Sequence, residues 1–123
     1  MGAMKILVVD DDVLAGEMTA AVLEDAGYGI VLAENAIEAM EKLNDEAGIA
    51  LIVSDMNMPM VSGIDLFRDL REQGVDIPFI LLTGDAPGPL KAAEPRLDDC
   101  LTKDFTLETS LIQSINAVMA RRA

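Results

Sequence analysis

Five residues of the kind that does chemistry each stand directly after a short apolar run. Asp10 and Asp11 follow Lys5-Ile-Leu-Val-Val9, and Asp55 follows Leu51-Ile-Val-Ser54. Thr83 follows Ile77-Pro-Phe-Ile-Leu-Leu82, and Lys103 follows Cys100-Leu-Thr102. Carboxylates gathered in one crevice repel one another unless a cation compensates. A hard divalent cation with oxygen ligands does so, and Mg2+ commonly combines one or two carboxylates with waters and a phosphate. Calcium competes on ligand type, although the chain shows no calcium-loop pattern. A hydroxyl and an ammonium facing such a cluster are what a phosphoryl group needs to be neutralised and hydrogen-bonded. The reaction open to this set is attack of the Asp55 carboxylate on phosphorus, giving an acyl phosphate.

These residues converge only if the apolar runs are neighbouring strands. The run ending at Asp55 is continuous, as in strands buried on both faces, and Met58-Pro59 stops it. Helical patterns separate the runs. Leu14, Met18, Ala21-Val22 and Leu23 recur at helical spacing from Val13, and Gly27 closes that helix. Residues 28–33 read as a strand. Asn35, with Glu38 three residues on, resembles a capping box that opens a helix through Ile37, Met40 and Leu43. Ser62-Gly63 opens the next, with Ile64, Phe67 and Leu70 on one side and an end near Gly74. Pro78 has no N–H for a ladder, so it belongs at the start of the fourth strand. Residues 86–99 hold Pro87, Gly88, Pro89 and Pro95 and leave room for a short helix around Leu90 to Glu94. Thr106 is expected to cap a last helix carrying Leu107, Leu111, Ile115 and Val118, with Arg121-Arg122 suiting its C-terminal dipole.

A β-α order repeated five times implies a parallel sheet covered by helices on both faces. With right-handed crossovers, the expectation is an α/β, flavodoxin-like (βα)5 fold with strand order 2-1-3-4-5 and a short or irregular fourth helix. In that order the first and third strands adjoin. Asp10, Asp11 and Asp55 then meet at the carboxyl ends, where open α/β sheets place ligands. Thr83 and Lys103 lie on the same rim.

Composition narrows the partners. The 123 residues suit one domain, 4–123, and Met1-Gly2-Ala3 reads as an appended remnant. The formal charge of −13 would repel a phosphate backbone, so direct nucleic-acid binding by this domain is not expected. No apolar run reaches transmembrane length and no signal peptide is visible. A single cysteine, Cys100, fits a cytoplasmic setting and reads as a small packed residue rather than a redox sensor. The absence of histidine removes the usual general base and the commonest metal ligand.

Ile-Leu-Val-Val-Asp10-Asp11, Ser-Asp55-Met-Asn-Met-Pro59 with Gly63, Leu-Leu-Thr83-Gly84, and Lys103 with Phe105 together resemble the receiver domain of bacterial response regulators, the CheY-like family of two-component signalling. The likeness runs from Met4 onward, with each motif at a strand end. It implies that Asp55 is the phosphoacceptor, that Asp11 binds Mg2+ (or Mn2+) directly and Asp10 through water, and that Asn57 lends its backbone carbonyl. It implies phosphoryl contacts from Thr83 and Lys103, and a tuning of dephosphorylation by Asn57 and Asp85. The implied donor is a phosphohistidine on a histidine kinase or phosphotransfer domain, and the output is a protein partner. Two positions depart from the family pattern. Cys100 stands where an aromatic residue is usual, and Asp104 where a proline is usual. The standard threonine–aromatic switch is therefore not carried over.

Other readings stand beside this one. Asp12 reads as a helix N-cap. Most methionines read as core filler, while Met56, Met58 and Met60 lie in the site loop and can line a partner contact. A degenerate receiver working without phosphorylation would explain Cys100 and Asp104, but would not need the complete acid–threonine–lysine set. A Mg2+-dependent aspartyl-phosphate phosphatase would want an acid two residues after the nucleophile, where Asn57 stands. A flavin-binding relative would want a phosphate-cradling loop after the first strand, where there are only acids. The expected protein is not an enzyme beyond its own phosphorylation and dephosphorylation. It is either a stand-alone regulator or a domain of a longer one.

Overall fold

The computed structural model describes residues 4–122, so the reading of residues 1–3 as a remnant lies outside the described residues. The elements follow the expected alternation: β1 Lys5–Val9, α1 Val13–Asp25, β2 Gly29–Ala33, α2 Ala36–Asp45, β3 Ile49–Asp55, α3 Gly63–Glu72, β4 Phe79–Thr83, α4 Gly88–Ala93, β5 Asp99–Thr102 and α5 Leu107–Arg122. The five strands form one sheet of order β2-β1-β3-β4-β5 with every pair parallel. This is the flavodoxin-like arrangement.

The strands are apolar on both faces because both faces are covered. Leu7 and Val9 join one cluster with α2 and α3, including Ala39, Leu66 and Phe67. Ile6 and Val8 point the other way, into a cluster with Leu23 of α1 and Leu111, Ile115 and Val118 of α5. The core is thus two slabs divided by the sheet, and it holds β3 rigid from both sides.

Local signals set the helix ends. Asp12, Asn35 and Ser62 accept hydrogen bonds from the N–H groups of Ala15, Glu38 and Asp65, capping α1, α2 and α3. Gly27 and Gly74 follow the last turns of α1 and α3 with φ of 98° and 81°. The Tyr28 N–H reaches Leu23 and the Val75 N–H reaches Leu70, the hydrogen bonds of a left-handed helix stop.

Four expectations are refined. The buried stripe of α1 is Gly16, Thr19, Ala20 and Leu23, while Leu14 and Met18 face outward. Leu23 belongs to both sets, while Leu14 and Met18 stand two positions, about 200° of helix rotation, from the buried Gly16 and Ala20. Helix α4 begins at Gly88, ahead of Leu90, because Pro89 fits the first turn, where its missing N–H costs nothing. Strand β3 begins at Ile49, two residues ahead of Leu51, as it pairs with Lys5 past an irregularity in register. Thr106 stands directly before α5 and its carbonyl accepts the Ser110 N–H, while its hydroxyl donates to Asp104 at 2.6 Å.

Candidate functional site

Parallel register brings the strand ends together. Val9 pairs with Ser54, Asp55 with Leu82, and Thr83 with Thr102. The next residues along β1 and β5 are Asp10 and Lys103, so all the chemically distinctive groups reach one rim. Carboxylate oxygens of Asp10, Asp11 and Asp55 lie within 4.8 Å of one another. Asp10 and Asp55 are buried and Asp11 is exposed, so the cluster opens to solvent on the Asp11 side.

Lys103 Nζ lies 2.9 Å from Asp10 and 3.1 Å from Asp55. One ammonium therefore serves two buried carboxylates, and the third has no cation among the described residues. Burial pushes the Asp55 carboxyl above its ordinary value; Lys103 pulls it back, and Asp10 and Asp11 add to the rise. Burial works to lower the Lys103 ammonium, but hydrogen bonds to Asp10 and Asp55 outweigh it and the net shift is upward. Such a site is short of positive charge. Three carboxylates converging on one point fit a hard divalent cation by donor chemistry.

Thr83 is buried, and its oxygen accepts the N–H of Asp85 at 3.1 Å. The hydroxyl proton remains free to be given elsewhere. Asn57 is exposed in the loop after β3. Together Met56, Asn57, Thr83, Asp85, Ala86, Pro89 and Leu90 line a cleft of about 340 Å3 beside the acids. In that same loop Met60 takes φ 71° and is 95% exposed, an apolar side chain held out to solvent. Phe105, on the far rim, is also fully exposed.

Cys100 is buried in the apolar cluster of β4 and α3, and burial raises its thiol pKa. It packs as a small apolar residue. Asp104 accepts both the N–H and the hydroxyl of Thr106, forming the turn into α5.

A family model for the response regulator receiver domain matches residues 6–116. The chain belongs to that family. It is similar to the transcriptional regulatory protein CpxR homolog of Haemophilus influenzae, at 34% identity over 97% of this chain and 52% of the relative. It is also similar to the phosphate regulon transcriptional regulatory protein PhoB of Pseudomonas aeruginosa, at 39% identity over 94% of this chain and 52% of the relative. The chain spans about half the length of these curated relatives. Among solved structures, a receiver domain protein from Clostridium thermocellum superposes with a TM-score of 0.84 at 27% identity, covering 96% of this chain and 95% of that one. The response regulator TrrA from Thermotoga maritima, solved in complex with Mg2+-BeF, gives 0.82 at 29% identity, covering 96% and 99%. Receiver domains belong to two-component signal transduction. Among the described residues no helix is long and apolar enough to cross a membrane.

Two site contacts were not visible in the sequence. Nothing in the local pattern shows that Lys103 reaches both Asp10 and Asp55, or that the Ser54 hydroxyl donates to the Asp55 carbonyl. The first depends on how strands distant in sequence are stacked, and the second on the rotamer that burial in β3 imposes on Ser54.

Proposed function

We propose that this chain, as a single receiver domain over residues 4–123, accepts a phosphoryl group on Asp55 from a phosphohistidine of a histidine kinase or phosphotransfer domain. The observation that carries this is the shared ammonium: Lys103 lies within 3.1 Å of Asp55, on the rim that also holds Asp10, Asp11 and Thr83. A carboxylate oxygen of Asp55 attacks phosphorus, the P–N bond to the imidazole breaks, and the departing nitrogen keeps the electron pair and takes up a proton. Asp55 becomes an acyl phosphate. Lys103 then has a phosphoryl oxygen to neutralise, and the Thr83 proton has an acceptor.

The residues that would hold Mg2+ (or Mn2+) are Asp11, Asp55 and the Asn57 carbonyl, with Asp10 acting through water. A cation there supplies charge neutralisation of the phosphoryl oxygens. Asn57 and Asp85 border the cleft that an attacking water would cross, and so bear on the lifetime of the phosphorylated form. The domain catalyses only its own phosphorylation and dephosphorylation, works in the cytoplasm, and signals by binding a protein partner. Nucleic acid and membrane are not its ligands. The relation to CpxR- and PhoB-like proteins supports a role in a two-component phosphorelay.

Intact mass after incubation with acetyl phosphate tests this. The wild type should gain one phosphoryl group only when Mg2+ is present, and Asp55→Asn should gain none. An adduct on Asp55→Asn, or none on the wild type while Mg2+ still binds, would overturn the assignment.

A further inference from the structure

Ser54 and Gly63 stand in the motifs but play no part in the chemistry above. Ser54 is fully buried, and its hydroxyl donates to the Asp55 carbonyl at 3.0 Å. The Met56 N–H donates to the Leu82 carbonyl at 2.7 Å, and the Gly63 N–H donates to the Met56 carbonyl at 2.9 Å. Every backbone polar atom from the Asp55 carbonyl to the Met56 carbonyl is therefore held. Gly63 leaves the space that this peptide occupies. A Cβ at that position would overlap the Asp55 carbonyl oxygen and would stand 3.0 Å from its carbon and 2.6 Å from Leu81 Cδ1. Gly63 has no positive φ, so the demand for glycine is one of space. The Leu81 side chain can turn aside, but the Asp55 backbone is fixed in the central strand.

We propose that Ser54 and Gly63 are positioning residues for the phosphoacceptor. They clamp the Asp55–Met56 peptide from two sides, and so keep the Asp55 carboxylate aligned with Asp10, Asp11 and Lys103. This rests on the reading of Asp55 as the acceptor. Tilting that peptide swings the Asp55 side chain and the following Asn57 together, and a misplacement of about 1 Å at a reacting group can cost about 10²-fold in rate.

The test measures phosphorylation rate against acetyl phosphate concentration, by intact mass with saturating Mg2+, alongside thermal unfolding. The proteins are the wild type, Ser54→Ala, Gly63→Ala and Gly63→Ala/Leu81→Val. Gly63→Ala should lose about 10- to 100-fold in maximal rate and also lose stability. In the double variant, removing the Leu81 δ-carbons relieves the side-chain overlap only. Its rate should stay low, because the overlap with the Asp55 carbonyl remains. Ser54→Ala leaves the buried Asp55 carbonyl without this donor, so it should lower Tm modestly and lose about 3- to 10-fold in rate, the scale of one hydrogen bond. Joint recovery of rate and Tm in the double variant would make Gly63 a packing residue and overturn the clamp. Should Gly63→Ala fail to fold, Ser54→Ala decides, and a wild-type rate there overturns the proposal. A wild type that takes no phosphoryl group would remove the Asp55 reading itself, and the clamp with it.

Discussion

At the carboxyl end of the sheet three carboxylates face one ammonium. Near the amino ends of β4 and β5, two carboxylates face four guanidinium groups. Glu94 pairs with Arg68 at 3.2 Å and Arg96 at 2.8 Å, while Asp98 pairs with Arg122 at 2.9 Å and lies 4.0 Å from Arg71. Both carboxylates are almost fully buried, as Asp10 and Asp55 are. The consequences run in opposite directions. Hydrogen bonds from Arg96 and Arg68 outweigh burial and hold the Glu94 carboxyl at about 2. Burial wins at Asp55 and pushes it up. A carboxylate that is paired in full stabilises the fold, and one left short of cations is held ready for a ligand. The amino end also ties elements together: Glu94 joins the end of α4 to α3, and Asp98 joins β5 to α5. One blemish remains there, since Arg71 Nη2 is buried without a hydrogen-bond partner, its guanidinium stacked 4.5 Å above Phe67.

The largest expected effect separates chemistry from stability at the acid end. Asp55→Asn should lose all phosphorylation yet melt no lower than the wild type, because it removes a charge that burial disfavours. A clear drop in Tm would place Asp55 in the same class as Glu94 and end the contrast. Lys103→Ala leaves two buried carboxylates without their ammonium. It should cut the phosphorylation rate by about 10²-fold, the scale for removing one preorganised charge-stabilising group. Added Mg2+ should raise the Tm of Lys103→Ala by more than it raises that of the wild type, as read in paired thermal melts.

At the amino end the effects are on stability alone. Glu94→Gln should lower Tm by about 3–6 °C at neutral pH, with phosphorylation unchanged. Its pH dependence has a definite sign. The Glu94 carboxyl titrates at about 2 in the folded chain against an ordinary 4.5. Its contribution is therefore complete above 4.5, fades as the pH falls from 4.5 toward 2, and is gone below that. Melts of wild type and Glu94→Gln should converge across that window. Arg122→Ala should have the smallest effect, about 1–3 °C, and salt should erase most of it because the side chain is partly exposed on the last turn of α5. An Arg122 effect as large as that of Glu94 would mean that the Asp98 pair is shielded far better than its exposure suggests.

Much of the fold was legible because strands buried on both faces leave an unbroken apolar run, and the runs of β1, β3, β4 and β5 each end at a candidate site residue. The α1 facing was not legible. Leu14 and Met18 satisfy helical spacing as well as Thr19 and Leu23 do, and only the packing of α1 beside β1, β2 and α5 chooses between the two stripes. The start of α4 was obscured because Pro89 both stops and opens helices, depending on its place in the turn.

The sequence by itself determined the strand runs, the caps at Asp12, Asn35 and Ser62, and the alternation that puts acids, threonine and lysine on one rim. These follow from local periodicity and from short-range hydrogen bonding, which a few consecutive residues settle. Tertiary structure alone decided that Lys103 would be shared by Asp10 and Asp55, that Glu94 would add Arg68 of α3 to its neighbour Arg96, and that Asp98 would meet Arg71 of α3 and Arg122 of α5. It also decided that Gly63 would lie against the Asp55 carbonyl. Each of these contacts joins residues on different elements, and its distance is set by register and packing across the sheet.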